Sequence, residues 1–103
     1  MTDNQMRTAL KEASQGIIEC FEGVWFYWSN GNRFACKDND PLEDLNACAK
    51  FEKTLTRQER YNYADHLCDM CYDRSPYSNV EQVISATARQ RCLAYLRTKG
   101  IIQ

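Results

Sequence analysis

Apolar residues recur at helical spacing near both ends of the chain, and residues that favour helix ends bound each pattern. The first helix is predicted over 4–14, with Asp3 as its N-cap and Gly16 as its stop. The last helix is predicted over 86–99, and Gly100 ends it. The predicted inward residues are Met6, Leu10 and Ala13 in the first helix, and Ala88, Cys92, Leu93, Tyr95 and Leu96 in the last.

Two more helices are predicted in the middle of the chain. Asp40 and Pro41 start the first of them, as N-cap and first helical residue, and it should end near Thr54. Glu43 and Asp44 fall in its first turn, where the helix dipole favours acidic side chains. Its predicted apolar stripe consists of Leu42, Leu45, Cys48, Ala49 and Leu55.

Thr56 and Glu59 have the spacing of a capping box, so the next helix should begin there. Its predicted inward residues are Tyr61, Ala64, Leu67, Cys68 and Cys71. The link between these two helices is short, which predicts an antiparallel pair. Residues 73–79 have the composition of a loop, and residues 80–85 fit neither the helical nor the strand period.

A run of aromatic residues over 24–28 is typical of a β-strand. Asn30 and Gly31 follow it, a pair that favours a two-residue turn, so a hairpin is predicted over 24–36. Residues 17–21 fit either a further strand or a frayed last turn of the first helix, and the β-branched residues at the start favour the strand. Alternation gives the hairpin strand two faces, Val24, Phe26 and Trp28 on one and Trp25 and Tyr27 on the other. We expect Phe26 and Trp28 to pack in the core.

These elements predict a single α+β domain over 1–103, in which a small antiparallel sheet built on the hairpin packs with three to four helices. No apolar run approaches the roughly 18–20 residues that cross a bilayer, and the first residues lack the layout of a signal peptide. We therefore expect a cytoplasmic protein with no membrane partner, whose six cysteines are reduced.

His66, Cys68 and Cys71 form the metal-like spacing H-x-C-x-x-C. A structural zinc site needs four ligands, and on a continuous helix His66 points away from the two cysteines. Core cysteines beside a surface histidine are the simpler interpretation, so a zinc module is only an alternative and no cofactor is predicted. Because a cysteine nucleophile needs a histidine within reach and the chain has a single one, facing another way, we expect no enzyme.

Charge is polarised along the chain, although the formal net charge is only −1. Residues 38–49 contain four acids and no base: Asp38, Asp40, Glu43 and Asp44. Residues 82–103 contain four bases and no acid: Arg89, Arg91, Arg97 and Lys99. Two solvated helix faces, turned towards each other, are the simpler interpretation. The functional alternative is a basic face that binds nucleic acid or an acidic face that mimics it.

Aromatic side chains cluster in the hairpin, and one of its faces stays open unless helices cover both. Tyrosine, tryptophan and arginine dominate the energetics of protein interfaces. The candidate partner-binding residues are therefore Trp25, Tyr27, Asn30, Asn32, Arg33, Asp38, Asp40, Glu43 and Asp44. A second copy of the chain is an alternative occupant of this surface and would give a homodimer.

Two stretches of the chain, DPLEDLNACAKFEKTLT over 40–56 and ATARQRCLAYLRTKG over 86–100, carry a resemblance to a known family. They resemble the D-x-L-x-D-L-N-A and A-T-A-x-Q-R … L-R-T segments of small uncharacterised phage and prophage proteins of the ABA-sandwich-like type. The resemblance implies a small sheet packed with helices, and it carries no catalytic residue across. The cysteine-rich third helix and the aromatic hairpin depart from the family pattern.

The resemblance, the small size and the polarised surface together lead us to expect a phage-encoded accessory protein that acts by binding. Its most concrete form is an anti-CRISPR-like inhibitor that contacts a host protein or defence complex in the bacterial cytoplasm. A fold does not by itself give a function, so this expectation is an inference from likeness to other proteins and not from a site. The alternatives are a small nucleic-acid-binding phage protein that uses the basic last helix, and a structural zinc module.

Overall fold

A computed structural model describes residues 1–71 and 86–102, and leaves the side chain of Cys71 undescribed. In these residues the chain forms four α-helices and a three-stranded antiparallel sheet, which confirms the predicted α+β fold. The elements are α1 (Asp3–Ala13), β1 (Ile18–Phe21), β2 (Val24–Ser29), β3 (Asn32–Ala35), α2 (Leu45–Glu52), α3 (Arg57–Cys71) and α4 (Ala88–Thr98). The loop predicted at 73–79 and the ambiguous segment 80–85 lie outside the described residues.

Capping boxes start three of these helices. Thr2 and Gln5 form the box of α1, so the predicted cap, Asp3, is instead the first helical residue. The box predicted at Thr56 and Glu59 is confirmed: the Thr56 hydroxyl accepts from Glu59 N at 3.2 Å, and the Glu59 carboxylate accepts from Thr56 N at 2.9 Å. Helix α4 has an equivalent box, formed by its N-cap threonine and the glutamine three residues later.

The sequence predicts the start of α2 at Asp40, and the structure corrects this. Asp40 caps a short 3₁₀ turn, Pro41–Glu43, by accepting the backbone N–H two residues later at 2.9 Å. Asp44 is the N-cap of α2, because its Oδ1 accepts from two N–H groups of the first helical turn at 2.8 and 3.2 Å. Helix α2 is therefore Leu45–Glu52 and ends before the predicted Thr54.

Helix α4 lies at the centre of the fold and packs on the three other helices. Its side chains Cys92, Tyr95 and Leu96 are fully buried, as predicted, while Leu93 is only partly buried. The ring of Tyr95 packs on that of Phe51 in α2, with centroids 4.5 Å apart. The core thus forms around the last helix.

The predicted inward residues Leu42, Cys48, Leu55 and Leu67 are buried in or beside α2 and α3, but other predicted ones are not. The exposed residues include four that the sequence places inward: Leu45, Ala49, Tyr61 and Ala64. Buried in their place are Ala47, Phe51 and Tyr63. The physical reason is that α3 packs mainly on α4 instead of forming the predicted antiparallel pair with α2, so a different stripe of each helix faces the core. None of the described helices is long and apolar enough to cross a membrane.

The strands of the sheet follow each other in the order β1-β2-β3, and both neighbouring pairs are antiparallel. This confirms the predicted strand at 17–21 and the hairpin at 24–36. Two-residue turns join the strands, and both of their residues have positive φ, at 51° and 79° for Glu22 and Gly23 and at 53° and 80° for Asn30 and Gly31. This is the backbone of a type I′ hairpin turn.

The sheet buries the opposite face from the one that the sequence predicts. Trp25 and Tyr27 lie on the face that α1 and α2 cover, and they pack against the core. Phe26 and Trp28, expected in the core, lie on the other face. Ile18 explains the difference: it is fully buried and stands directly opposite Tyr27, so the two side chains share one face of the sheet.

Candidate functional site

The side of the sheet that none of the described helices covers is here named the open face. It is defined by five residues, Phe21, Val24, Phe26, Trp28 and Arg33, with at least one from each strand. Glu19 and Ala35, both opposite Phe26, lie beside them on the same side. Phe21 is 56% exposed and Val24 is 38% exposed, and these two stand directly opposite each other next to the first turn. Phe26 and Trp28 are half-buried. An apolar patch thus extends over β1 and β2, with the charged Arg33 of β3 beside it.

Polar contacts hold the larger side chains of the open face in place. The guanidinium carbon of Arg33 lies 4.4 Å from the centroid of the Phe26 ring and 5.9 Å from that of the Phe21 ring. The Trp28 indole donates its Nε1–H to Glu19 Oε2 at 2.7 Å. Since each ring is fixed by a neighbour on the same face, a partner that docks there has little side-chain entropy to remove.

Four of the five open-face residues are missing from the binding residues that the sequence predicts; Arg33 is the member in common. The missing ones are Phe21, Val24, Phe26 and Trp28. Alternation along β2 divides its aromatic residues into two sets but does not say which set is covered. The signal that could have decided is Ile18: the isoleucine of β1 has no polar atom, and its partner Tyr27 must share its buried face.

A cleft of about 540 Å³ lies between strand β3 and the start of α2. It brings together three of the predicted binding residues, Tyr27, Glu43 and Asp44, and Leu45 also lines it. Burial raises the pKa of the Tyr27 hydroxyl above its ordinary value. The ring of Phe34 stacks on that of Tyr27 with centroids 5.6 Å apart. The cleft therefore has an aromatic wall on the sheet side and an apolar residue, Leu45, on the helix side.

Two of the predicted acidic binding residues are engaged within the fold. Asp44 is only 5% exposed, and its Oδ2 accepts from Lys37 N at 2.7 Å in addition to the helix-capping bonds of Oδ1. Asp40 receives two hydrogen bonds from Arg7, from Nε at 3.0 Å and from Nη2 at 2.8 Å. This contact with the guanidinium holds the pKa of Asp40 below its ordinary value. Both carboxylates stabilise the connection between the sheet and the helices.

The remaining predicted binding residues are spread over separate parts of the surface. Asn30 and Asn32 are exposed at the tip of the hairpin, and Asp38 is exposed on the turn after β3. Trp25 lies on the covered face, where its backbone N–H donates to Asn39 Oδ1 at 2.7 Å. The structure thus divides the predicted set among the open face, the cleft, the hairpin tip, the turn after β3, the Arg7 contact and the covered face of the sheet.

Three of the four predicted basic residues of the last helix take part in ion pairs within the chain; the fourth, Arg97, has a buried Nε with no hydrogen-bond partner among the described residues. The pairs are Arg89 with Asp3 at 2.7 Å, Arg91 with Glu52 at 3.2 Å, and Lys99 with Glu59 at 3.0 Å. The acidic partners come from α1, α2 and α3, and none belongs to the predicted acidic segment at 38–49. A phosphate would have to compete with these carboxylates, which weighs against nucleic-acid binding here. Nucleic-acid binding by the last helix stays a prediction.

The cysteines lie in different environments. Cys48 and Cys92 are fully buried with their Sγ atoms 4.0 Å apart, and this contact together with burial raises the pKa of Cys92. Burial raises the pKa of Cys36 to about 12. Residues 1–71 and 86–102 contain no group of three metal-ligating side chains. Because the side chain of Cys71 lies outside the description, the zinc alternative at His66, Cys68 and Cys71 stays a prediction.

Comparison of the chain with family models, with curated proteins and with solved structures finds no match. The resemblance of residues 40–56 and 86–100 to small phage and prophage proteins therefore stays a prediction based on those residues alone.

Proposed function

We propose that the protein acts by binding another protein through the open face of its sheet. The observation that carries this proposal is the grouping of Phe21, Phe26, Trp28 and Arg33 on a side of the sheet that no described helix covers. Single exposed apolar residues are ordinary on protein surfaces, whereas a contiguous patch is typical of interaction sites. Aromatic and arginine side chains also contribute most of the binding energy in protein interfaces.

The open face defines the chemistry of the partner. The Phe21 and Val24 side chains are exposed to water, and an apolar surface of the partner would bury them, which is favourable. Arg33 has no ion pair among the described residues, so its N–H groups can donate to a carboxylate. Glu19 is already engaged by the Trp28 indole. We therefore expect a partner that presents an apolar patch with an acidic side chain beside it.

The resemblance to phage proteins gives this binding activity its most concrete form. An anti-CRISPR-like inhibitor would occupy a surface of a host defence complex in the bacterial cytoplasm and block it by contact alone. What supports this form is the resemblance itself together with the small size of the chain. The matching residues include the helix caps Asp40 and Asp44 and the buried Cys92 and Tyr95, which position the sheet and do not touch the open face.

The test is affinity capture from bacterial lysate with three forms of the protein, at low and at high salt and with nuclease. The forms are the wild type, Phe21→Glu on the open face, and the matched control Tyr61→Glu, at a 60% exposed position on α3. A protein complex retained at high salt by the wild type and the control, but lost with Phe21→Glu, would support the proposal.

The captured host complex is then purified and titrated with each form of the protein. The dissociation constant should be at least about tenfold larger for Phe21→Glu than for the wild type. Equal retention of the complex by all three forms would contradict the assignment to the open face. Retention of nucleic acid alone, released by salt or nuclease, would instead support the basic helix, and Arg89→Ala would test it.

A further inference from the structure

We propose that two copies of the chain pair through strand β3 and join their sheets into one continuous six-stranded antiparallel sheet. This proposal does not depend on the proposed function. It rests on the direction of the backbone groups of β3, on the position of its one charged side chain, and on the register in which the strand can pair with itself.

Strand β3 is an edge of the sheet, and all four of its residues are exposed. Cys36 N donates to Trp25 O at 2.9 Å, which makes these two a hydrogen-bonded pair. Such pairs alternate along an antiparallel ladder, so Phe34 bonds to β2, while Arg33 and Ala35 direct their N–H and C=O groups away from it. The edge therefore presents two donors and two acceptors to a further strand.

The opposite edge, β1, differs from β3 in this respect. Ile18 also directs its N–H away from β2, but the hydroxyl of Ser14 at the end of α1 accepts it at 3.0 Å. Ser14 is itself buried, so the end of α1 covers this part of the β1 edge. No corresponding contact covers Arg33 or Ala35 among the described residues. On β1 only the outward N–H of Cys20 is left without a covering bond among the described residues, whereas β3 offers two such donors and is the better edge for pairing.

Strand β3 also lacks the devices that prevent edge-to-edge pairing in most proteins. These devices are proline, a bulge, or a charge at the edge. The pairing of β3 with β2 is continuous from Asn32 to Ala35, without a bulge or a proline. The charge of Arg33 lies over the Phe26 ring at 4.4 Å, on the open face and not beside the edge.

Only one self-pairing register satisfies both the hydrogen bonds and the charges. A two-fold axis at Phe34 places each Arg33 opposite Ala35 of the second copy, and four hydrogen bonds form. An axis at Arg33 would place two guanidinium groups directly opposite each other, which is unfavourable. An axis at Ala35 would pair Arg33 with Lys37, whose N–H is already bound to Asp44.

The same register buries exposed aromatic surface. Phe34 is 46% exposed, and the axis brings the two Phe34 residues together as a non-hydrogen-bonded pair, in which side chains approach most closely. Because each Phe34 already stacks on its own Tyr27, the dimer would contain a row of four rings across the interface. A pair of four-residue strands buries less than the roughly 1,200–2,000 Å² of a stable interface, so we expect a weak, concentration-dependent dimer.

The first experiment is amide hydrogen exchange by NMR on the wild-type protein over a range of concentrations, together with sedimentation equilibrium. We expect the amides of Arg33 and Ala35 to become protected as the dimer forms, whereas the amide of Phe34 is protected at every concentration. A protein that stays monomeric, or a dimer in which Arg33 and Ala35 exchange as fast as in the monomer, would overturn the proposal.

The second experiment uses a matched pair of lysine substitutions at exposed aromatic residues, one on strand β3 and one on helix α3. Phe34→Lys places two ammonium groups at the two-fold axis and should weaken the dimer at least about tenfold. Tyr61→Lys puts the same charge at a 60% exposed position on α3 and should leave dimerisation unchanged. If Phe34→Lys dimerises as the wild type does, β3 is not the interface. A monomeric wild type would leave binding by the open face untouched, so the two proposals fail separately.

Discussion

The guanidinium carbon of Arg33 lies 4.4 Å from the centroid of the Phe26 ring, across from the helices. This is within the range of cation–π attraction. Arg33 is the one charged residue of β3, and the contact directs its charge onto the open face. One interaction therefore both fixes an aromatic ring for a partner and leaves the neighbouring edge without a charge.

Replacement of Arg33 by alanine should lower the free energy of unfolding by about 0.5–1 kcal/mol, because the cation–π contact is exposed to solvent. The measurement is equilibrium unfolding in urea, which unlike guanidinium does not screen the charge. Lys37→Ala, at an exposed position just after β3, is the control and should change stability by less than about 0.5 kcal/mol. Equal losses for the two variants would show that the ring contact contributes nothing.

Replacement of Asp44 by alanine should lower the free energy of unfolding by about 2–3 kcal/mol. The variant loses the N-cap of α2 and leaves Lys37 N without its acceptor. Glu43→Ala removes the preceding acid, which is exposed, and should cost less than about 0.5 kcal/mol. Thermal and urea unfolding of both variants check this, and a Glu43→Ala loss as large as that of Asp44→Ala would contradict the assignment of the cap to Asp44.

The ion pair between Arg7 and Asp40 should make stability depend on pH in the acid range. The hydrogen bonds from Arg7 lower the pKa of Asp40 from its ordinary value of 3.8, so the folded state holds the proton less tightly than the unfolded state. The stabilisation is therefore complete above pH 3.8 and is lost as the pH falls through the folded pKa.

Asp40→Asn should accordingly cost about 1 kcal/mol at neutral pH, with a difference from the wild type that shrinks in acid below the unfolded pKa. Urea unfolding over a series of pH values measures it. Asp38→Asn, at an exposed position nearby, is the control and should change stability by less than about 0.5 kcal/mol at neutral pH. A difference between Asp40→Asn and the wild type that stays constant into acid would contradict the ion-pair explanation.

The two hairpin turns allow a reciprocal test of backbone strain. Glu22 and Asn30 occupy equivalent positions with φ of 51° and 53°, a conformation that asparagine tolerates and glutamate adopts at a cost. Glu22→Asn should therefore raise the free energy of unfolding by about 0.5–1 kcal/mol, and Asn30→Glu should lower it by a similar amount. Thermal unfolding of the two variants gives the comparison; the same sign of change in both would argue against strain as the cause.

Local signals predicted most of the elements of this fold. Asn30 and Gly31 gave the hairpin because their positive φ depends on the residues themselves. Thr56 and Glu59 gave the start of α3 because a capping box is closed within four residues. Such features need no knowledge of the rest of the molecule. The turn at Glu22 was less evident, since only Gly23 there favours positive φ.

The faces of the elements depend on tertiary packing and could not be predicted in the same way. Tyr61 and Tyr63 both fit a helical stripe of α3, and the position of α4 decides that Tyr63 is buried. Likewise, both aromatic sets of β2 suit a core, and Ile18 in the neighbouring strand selects the covered one. The same choice determines the open face, so the candidate site could not be located before the covered face was known.

The central position of α4 has a consequence for the order in which the chain folds. The three strands are neighbours in sequence and can pair through short loop closures as soon as they leave the ribosome. The helices cannot complete their packing before α4 is synthesised, because α1 packs on α4 and the Tyr95 hydroxyl donates to Ala13 O at 3.3 Å. The burial of Phe51, whose ring packs on that of Tyr95, therefore cannot be completed until residues 88–98 have emerged.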